Sequence, residues 1–357
     1  MKPKLFIPGP THVDQEILDA MAQYPIGHRT ADYRELQSKV VNGIKELLYT
    51  EQSVLVSTSS ATGLMEAGVR NLSQKRVANF VCGAFSQRQA EITSICGLEQ
   101  DVFHVEWGQA TTAEQVEKAL SANDYDLVTV VFNETSTGVM NPLAEIGEVV
   151  KNHPDTLLMV DAVSGMMGAP IKIDEWGIDM ALASVQKAWG LPPGFAVMSL
   201  SDAALARSQS IPDAQKGFYF DFVRMHKAGQ KSQTTVTPSI PHLYALSAQL
   251  DRIKEEGLEN RFARHQAMAD RVRGWGKERF GLYAQPGFES NTLTCFNNDL
   301  GIDLIELAAK MKERDYLISG GYGDLKGKTF RLAHMGNLKM EDMDDVLNVL
   351  DEVIKTL

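Results

Sequence analysis

Three stretches of the sequence end an apolar run on side chains capable of chemistry. "LLMVDAVSG" closes an aliphatic run on Asp161, and "MALASVQKAWGLPPG" closes another on Gln186 and Lys187. "VLVSTSSATGLMEAG" passes from an apolar run through Ser60, Ala61 and Thr62 into a helix-like pattern. Ligands of open α/β sheets sit beyond the carboxyl ends of the strands, so each stretch marks a candidate position. A carboxylate at a buried strand end is costly unless a cation, a helix cap or a protonated ligand nitrogen faces it. Lys187 follows Asp161 by one strand–helix–strand unit, and the two strand ends can carry both side chains into one cleft. Read alone, Lys187 is first of all the solvated lysine of a surface turn, and only its neighbours move that reading. The backbone N–H groups and helix dipole at Ser60–Thr62 suit an anion, while Ser and Thr are also ordinary N-cap residues. An anion cradle, a strand-end carboxylate and a strand-end lysine are together what pyridoxal phosphate requires. The cradle takes its phosphate, the carboxylate faces its pyridine nitrogen and the amine forms a Schiff base with its aldehyde. The lysine must first lose its proton, which burial and neighbouring cations favour.

Strands have to carry these residues, and the sequence supplies seven candidates: Val54–Ser57, Val77–Cys82, Asp101–Val105, Leu127–Asn133, Leu157–Val163, Met180–Val185 and Phe195–Leu200. Runs such as "LVTVVF" and "LLMV" are continuously apolar, as in strands buried on both faces of a mostly parallel sheet. Amphipathic stretches such as "AEQVEKALSA" and "LAEIGEVVKN" alternate with them, which argues for α/β architecture with crossover helices. After Pro241 a long helix is expected, broken near Gly257. "SNTLTCF", "IDLIELAAKMKER", "KTFRLAHMG" and a last helix from Met340 then spell a smaller α+β unit. The expected division is a large domain over 15–250 and a small C-terminal domain over 251–357, with 1–14 contributing to the site. A chain of 357 residues is long for one compact core. Its 44% apolar and 23% charged residues are ordinary soluble composition. A formal net charge of -11 argues against nucleic acid or an anionic membrane as the main partner. No long apolar run appears, and "MKPKLFIPGP" is too short and proline-broken for a leader. Cys82, Cys96 and Cys295, without C-x-x-C spacing, fit free thiols in a reducing cytoplasm.

"IPGPTHVDQEIL", "GHRTADYRELQ", "SSATGLMEAG", "ETSTGVMNPL", "SVQKAWGLPPGFAVMSLS" and "KTFRLAHMG" together resemble the class V aminotransferases, of the fold type I pyridoxal-phosphate enzymes. The likeness is greatest to their alanine–glyoxylate and serine–pyruvate (or serine–glyoxylate) branch and covers nearly the whole chain. It implies that Lys187 links covalently to the cofactor and later shuttles a proton between the substrate α-carbon and cofactor C4′. Asp161 would pair with the pyridine nitrogen and Val163 would pack under the ring. Phe85, in "GAFSQRQA", falls where the family stacks an aromatic on the ring, often tryptophan; plain core packing is the alternative. Thr135 would bond the ring oxygen or a nearby polar edge, and Ser60, Ala61, Thr62 and Gln186 would hold the phosphate. Thr234 and Thr237, in "TTVTPSIP", match a segment that reaches the phosphate from the neighbouring subunit, although some relatives carry tyrosine at the position of Thr234. Arg331, in "FRLAHMG", would bind the substrate α-carboxylate, for which a planar fork is suited; a surface strand arginine is the alternative. Gly9, in "PGP", would let the backbone approach the substrate, or it simply makes a turn. His28 and Arg29, in "GHRT", resemble a stretch lining the site entrance across a dimer. A similar pair binds substrate phosphate in phosphoserine aminotransferases, but it also occurs in the alanine–glyoxylate branch and leaves the substrate open.

The implied function is transfer of the amino group of alanine or serine to glyoxylate or pyruvate, by ping-pong kinetics, in a homodimer with shared sites. Phosphoserine–2-oxoglutarate transfer stands second and 2-aminoethylphosphonate transfer third. Cysteine desulfurases of this fold carry histidine before the lysine and an exposed reactive cysteine, whereas here Gln186 precedes Lys187 and Cys295 lies in apolar "TLTCF". A non-enzymatic protein of this fold would bury Asp161, Lys187 and Arg331 at a cost with nothing to offset it. No G-x-G-x-x-G follows the first strand, which disfavours a nicotinamide dehydrogenase. The eight histidines are scattered without ligand-like pairs, so no metal is expected.

Overall fold

Each apolar run becomes a strand. In the computed structural model, which describes residues 3–357, these are β1 (Ser53–Ser57), β2 (Arg76–Val81), β3 (Glu99–His104), β4 (Leu127–Val131), β5 (Leu157–Asp161), β6 (Met180–Ser184) and β7 (Ala196–Leu200). They form one seven-stranded sheet in the order β1-β7-β6-β5-β4-β2-β3. Pairing is parallel from β3 through β6, while β7 runs antiparallel to both β6 and β1. The fold is therefore the α/β arrangement with a mostly parallel sheet that the sequence predicts.

Alternation along the strands explains why the runs are apolar throughout. Leu158, Val160, Ala181, Ala183 and Val197 join the core on one face of the sheet. Leu157, Met159, Met180, Leu182 and Met198 join the core on the other. Residues i and i+2 share a face, so a strand covered on both sides needs apolar residues at every position. Each buried Val, Leu or Met among them contributes roughly 1.5–3 kcal/mol by leaving water, and the alanines less. The edge strand β3 is the exception, half-buried in its middle and exposed at both ends.

Two strands stop two residues sooner than their apolar runs. β5 ends at Asp161 because the Asp161 carboxylate turns back to accept the Val163 N–H at 2.9 Å. β4 ends at Val131, and Asn133–Glu134 pairs instead with Val139–Met140 in a separate two-stranded ribbon. Both breaks lie at the carboxyl edge of the sheet and free the chain to present side chains there.

Helices α1 (Ala61–Leu72), α2 (Ala84–Ile95), α3 (Ala113–Ala122) and α4 (Leu143–Lys151) lie among the strands. The long helix after Pro241 is divided into α5 (Ile240–Glu256) and α6 (Leu258–Lys277). Gly257 between them has φ +82°, a left-handed conformation that glycine adopts without the Cβ penalty. Beyond α6, β8 (Leu293–Asn297), β9 (Ser319–Gly320) and β10 (Thr329–Ala333) make a three-stranded antiparallel sheet, with α7 (Leu304–Glu313) and the final α8 (Met340–Ile354) packed nearby. Met268, Trp275, Phe296, Phe330 and Leu347 form a separate apolar cluster there, which Phe6 joins. Lys4–Leu5 pairs in parallel with Tyr316–Leu317, tying the N-terminal segment to this second unit. Among the described residues, no helix is long and apolar enough to cross a membrane.

One buried side chain ties the strand-end turn of the large sheet to α6. Arg261 is 1% exposed and donates to the carbonyls of Met167 at 3.1 Å and Ala188 at 2.7 Å, and its charge meets Glu256 at 3.0 Å. Ala188 directly follows Lys187, so Arg261 fixes the backbone that presents the lysine. Arg261→Leu would leave two buried carbonyls without donors. We predict a loss of roughly 2–4 kcal/mol in urea unfolding, since each unsatisfied buried group costs about 1–3 kcal/mol. A change below about 0.5 kcal/mol would contradict this role.

Candidate active site

Asp161 and Lys187 meet because β5 and β6 are parallel neighbours, with Asp161 opposite Leu182 in register. Asp161 is the last residue of β5, and Lys187 stands just past the end of β6 at Ser184. The N-terminal segment closes over the lysine. Lys187 Nζ donates to the Pro8 carbonyl, and Gly9 lies directly against the lysine stem. A Cβ at Gly9 would fall 2.6 Å from Lys187 Cδ and 2.8 Å from Nζ, and its φ is +131°. No side chain fits there, so Gly9 is more than a turn residue. Thr11 extends the contact by donating its N–H to the Gln186 carbonyl at 3.0 Å.

The electrostatics of the pair follow from this enclosure. Burial pushes the Lys187 amine down to about 8, and the Arg331 and Arg88 guanidiniums push it the same way, against the pull of Asp161. Burial raises Asp161 to about 6, helped by the Glu134 carboxylate and opposed by the Val163 N–H, Lys187 and Arg88. Near neutral pH, Asp161 is thus largely a carboxylate and a useful fraction of Lys187 is a free amine.

Glu134 is the residue that sequence reading missed. It is fully buried, and its carboxylate receives the N–H of Ser86 at 2.9 Å, the N–H of Phe85 at 3.2 Å and the hydroxyls of Ser86 and Ser136 at 2.9 and 2.6 Å. It therefore caps the N-terminus of α2, where a negative charge is favoured. Gly83 before α2 has no room for a Cβ, which would lie 2.5 Å from the Glu134 side chain. The only signal in the sequence was its place in "ETSTG", beside Thr135. Thr135 itself is buried, with its hydroxyl 2.9 Å from that of Ser164, which donates to the Asn133 carbonyl.

Arg331, in the middle of β10, is 5% exposed and is not a surface arginine. Its Nε and Nη2 donate to the Gly320 carbonyl at 3.1 and 2.9 Å, Nη2 also to Ser319 Oγ at 3.1 Å, and Nη1 to the Thr135 carbonyl at 3.1 Å. Four of its five N–H groups are thereby engaged, so the free fork expected from sequence is reduced to one Nη1 donor. Phe85 stacks on Tyr322 with ring centroids 5.3 Å apart rather than entering the core. Val163 is half-buried and packs against the sheet core beside Asp161.

Ser60 occupies the N-cap position of α1 without a side-chain cap bond, and both Ser60 and Thr62 are exposed. Their hydroxyls are available to an anion at the helix N-terminus. The Ala61 N–H is not, because it donates to Ser184 Oγ at 2.6 Å. Gln186 Oε1 is buried without a hydrogen-bond partner. Thr234, Thr237, His28 and Arg29 do not join Lys187. Arg29 donates to the Thr234 carbonyl at 2.9 Å and to Gln233 at 3.3 Å, and Thr234 Oγ1 donates to the Val236 carbonyl at 2.6 Å. Thr237 is exposed and His28 half-buried. This segment lies beside the α1 turn, since the Ser239 N–H donates to Thr58 Oγ1 at 2.8 Å. Free hydroxyls at a helix N-terminus, a strand-end carboxylate and an enclosed amine of lowered pKa are the donor set that pyridoxal phosphate needs, and the site fits it.

Comparison with known proteins identifies the family and the fold. The model of the family described as "Aminotransferase class-V" matches residues 4–297. An uncharacterized aminotransferase of Methanocaldococcus jannaschii is 36% identical, over 100% of this chain and 94% of its own. A serine–glyoxylate aminotransferase of Methylorubrum extorquens is 31% identical, over 94% of this chain and 86% of its own. The crystal structure of alanine–glyoxylate aminotransferase from Nostoc sp. superposes with a TM-score of 0.93 at 27% identity, over 99% of this chain and 96% of that one.

The enclosure of Lys187 makes a measurable claim. Competitive acetylation of the cofactor-free protein, read by mass spectrometry, should give Lys187 a midpoint near 8. The reference is a free lysine amine, at about 10.4. Arg331→Gln removes a cation and should move the Lys187 midpoint upward. A Lys187 midpoint at the free-amine value of about 10.4 would contradict the burial.

Proposed function

This chain belongs to the class-V aminotransferase family, and we propose that it moves the amino group of a small amino acid, alanine or serine, to a 2-oxo acid, glyoxylate or pyruvate. The observation that carries this reading is the Lys187 amine, held beside Asp161 at adjoining strand ends with Gly9 packed on its stem. Pyridoxal phosphate, the cofactor of the family, supplies an electron-withdrawing ring that makes the substrate α-proton acidic.

The chain's own residues do the rest. Lys187 in its neutral form would hold the cofactor covalently, and its freed Nζ would carry the proton from the substrate α-carbon to cofactor C4′, the second half running the same transfer backward. The Asp161 carboxylate would lie opposite the ring nitrogen and keep it protonated. Its Oδ1 is steadied by the Val163 N–H, so the carboxylate is oriented before any ligand arrives. Ser60, Thr62 and Gln186 hold the phosphate, and Ala61 contributes its place in the helix turn rather than its N–H. Phe85 and Val163 border the ring, and Thr135 offers its hydroxyl to the ring's polar edge. Arg331 directs its remaining N–H to the substrate carboxylate while its other donors keep the guanidinium fixed. The Pro8–Gly9 segment excludes water from Lys187.

A second copy of the chain completes the site in this reading. Thr234, Thr237, His28 and Arg29 make their contacts away from their own Lys187 and suit a neighbouring subunit's cofactor and entrance. Tyr24, Phe218 and Tyr219 are exposed aromatic residues, at 93%, 65% and 42%, that a homodimer would cover. The three free cysteines suit a reducing cytoplasm.

The half-reactions test the proposal. Alanine or serine alone should bleach the visible band of the holoenzyme and release one 2-oxo acid per site, and glyoxylate should restore the band. Asp161→Asn should lower the rate by about 10²–10³-fold, as for loss of a preorganised electrostatic group. Conversion by phosphoserine with none by alanine or serine would overturn the assignment.

A further inference from the structure

One buried side-chain amide is left over by the packing described above. Gln89 lies on α2 and is 3% exposed, yet among the described residues neither its Oε1 nor its Nε2 has a hydrogen-bond partner. A buried polar group without a partner is costly, so such a side chain points to something it binds. Gln89 follows Phe85 by four residues and Ser86 by three, which sets all three on one face of the helix. That face meets the end of β5. Asp161 shares its side of the strand with Met159, and Met159 packs in the core cluster that Ile92 of α2 also touches. Gln89 and Asp161 accordingly line one small cavity, with about 10 Å³ open to the centre of a water molecule. That is room for one water. The other two polar side chains on this cavity are already engaged, Ser86 Oγ with Glu134 at 2.9 Å and Thr129 Oγ1 with Asn79 at 2.6 Å. Its remaining side chains are apolar. The Asp161 carboxylate accepts the Val163 N–H at Oδ1, and a carboxylate has further acceptor positions to fill.

We propose that this cavity binds a single water, and that Gln89 acts through it as the positioning residue of Asp161. The water accepts a hydrogen bond from Gln89 Nε2 and gives one of its own to the Asp161 carboxylate. This rests on the reading in which Asp161 lies opposite the cofactor ring nitrogen, and it adds the device that keeps the carboxylate ionised and aimed. A hydrogen bond given to the charged form favours that form. It opposes the two influences that work against the charge, burial and the Glu134 carboxylate, and it adds to those of the Val163 N–H, Lys187 and Arg88. Lys187 has to be neutral to do its chemistry, so its charge cannot serve Asp161 throughout the reaction. An amide does not titrate, and Gln89 holds the carboxylate in the same way at every stage.

The water and its effect are tested separately. A crystal structure of the holoenzyme should show one ordered water within about 3.2 Å of both the Gln89 amide and the Asp161 carboxylate. Gln89→Met keeps the length of the side chain and removes the amide. Its dissociation constant for pyridoxal phosphate, from titration of the cofactor-free protein followed by fluorescence, should rise about 10-fold, as for loss of a hydrogen bond to a charged group. In an Asp161→Asn background the same substitution should change that constant by less than about twofold, since the charge that the water serves is gone. The Asp161 carboxyl, followed by carbon NMR in cofactor-free protein, should titrate at higher pH in Gln89→Met than in the wild type. An equal loss of affinity in both backgrounds, an unmoved Asp161 midpoint or the lack of a bridging water overturns the proposal. A wild type that binds no pyridoxal phosphate sinks the transaminase reading and this proposal with it, whereas binding that does not depend on Gln89 sinks this proposal alone.

Discussion

A lysine amine kept out of water is the constraint on which the remainder of this structure depends. An ammonium group in an apolar enclosure is unstable, and the molecule answers by lowering its proton affinity rather than by pairing it tightly. Asp161, the one carboxylate poised to hold the proton, is itself buried and raised to about 6. The parallel pairing of β5 and β6 sets both groups at one edge of the sheet. Gly9 seals the lysine from the N-terminal side, where even a methyl group would collide. Arg261 pins the carbonyl immediately after it. Supports from three distant parts of the chain converge on one side chain.

The charge distribution obeys the same constraint. The chain carries a formal net charge of -11, yet Lys187, Arg331 and Arg88 gather in one cleft. Of the two buried carboxylates there, Glu134 is absorbed by the α2 N-terminus, and Asp161 is reserved at the end of β5. The cleft therefore gathers cations in a chain whose net charge is negative. An amino acid carboxylate, an oxo acid and a phosphate all fit that local field, and a polyanionic macromolecule does not.

Much of this was legible in the sequence. Continuous apolar runs must be strands covered on both faces, so the sheet and its carboxyl edge followed from "LLMV" and "MALASV". Asp161 and Lys187 were legible because a strand end is a place of known consequence. Gly257 announced the break between α5 and α6. Less legible were residues whose role depends on contacts distant in the chain. Glu134 looks like any glutamate until the N-terminus of α2 is folded onto it. Arg88 sits on a helix whose pattern does not reveal which face meets Phe85 and Tyr322. Arg331 was found, but the capture of its donors by Thr135, Ser319 and Gly320 follows only from the packing of β10 against β9 and the turn after β4.

The central claim is that Lys187 carries the chemistry. Reduction of the holoenzyme with borohydride, digestion and mass spectrometry would locate the covalent attachment of pyridoxal phosphate. The structure predicts a single phosphopyridoxyl modification on the peptide containing "SVQKAWG", at Lys187. Attachment at another lysine, with Lys187 unmodified, would contradict the account.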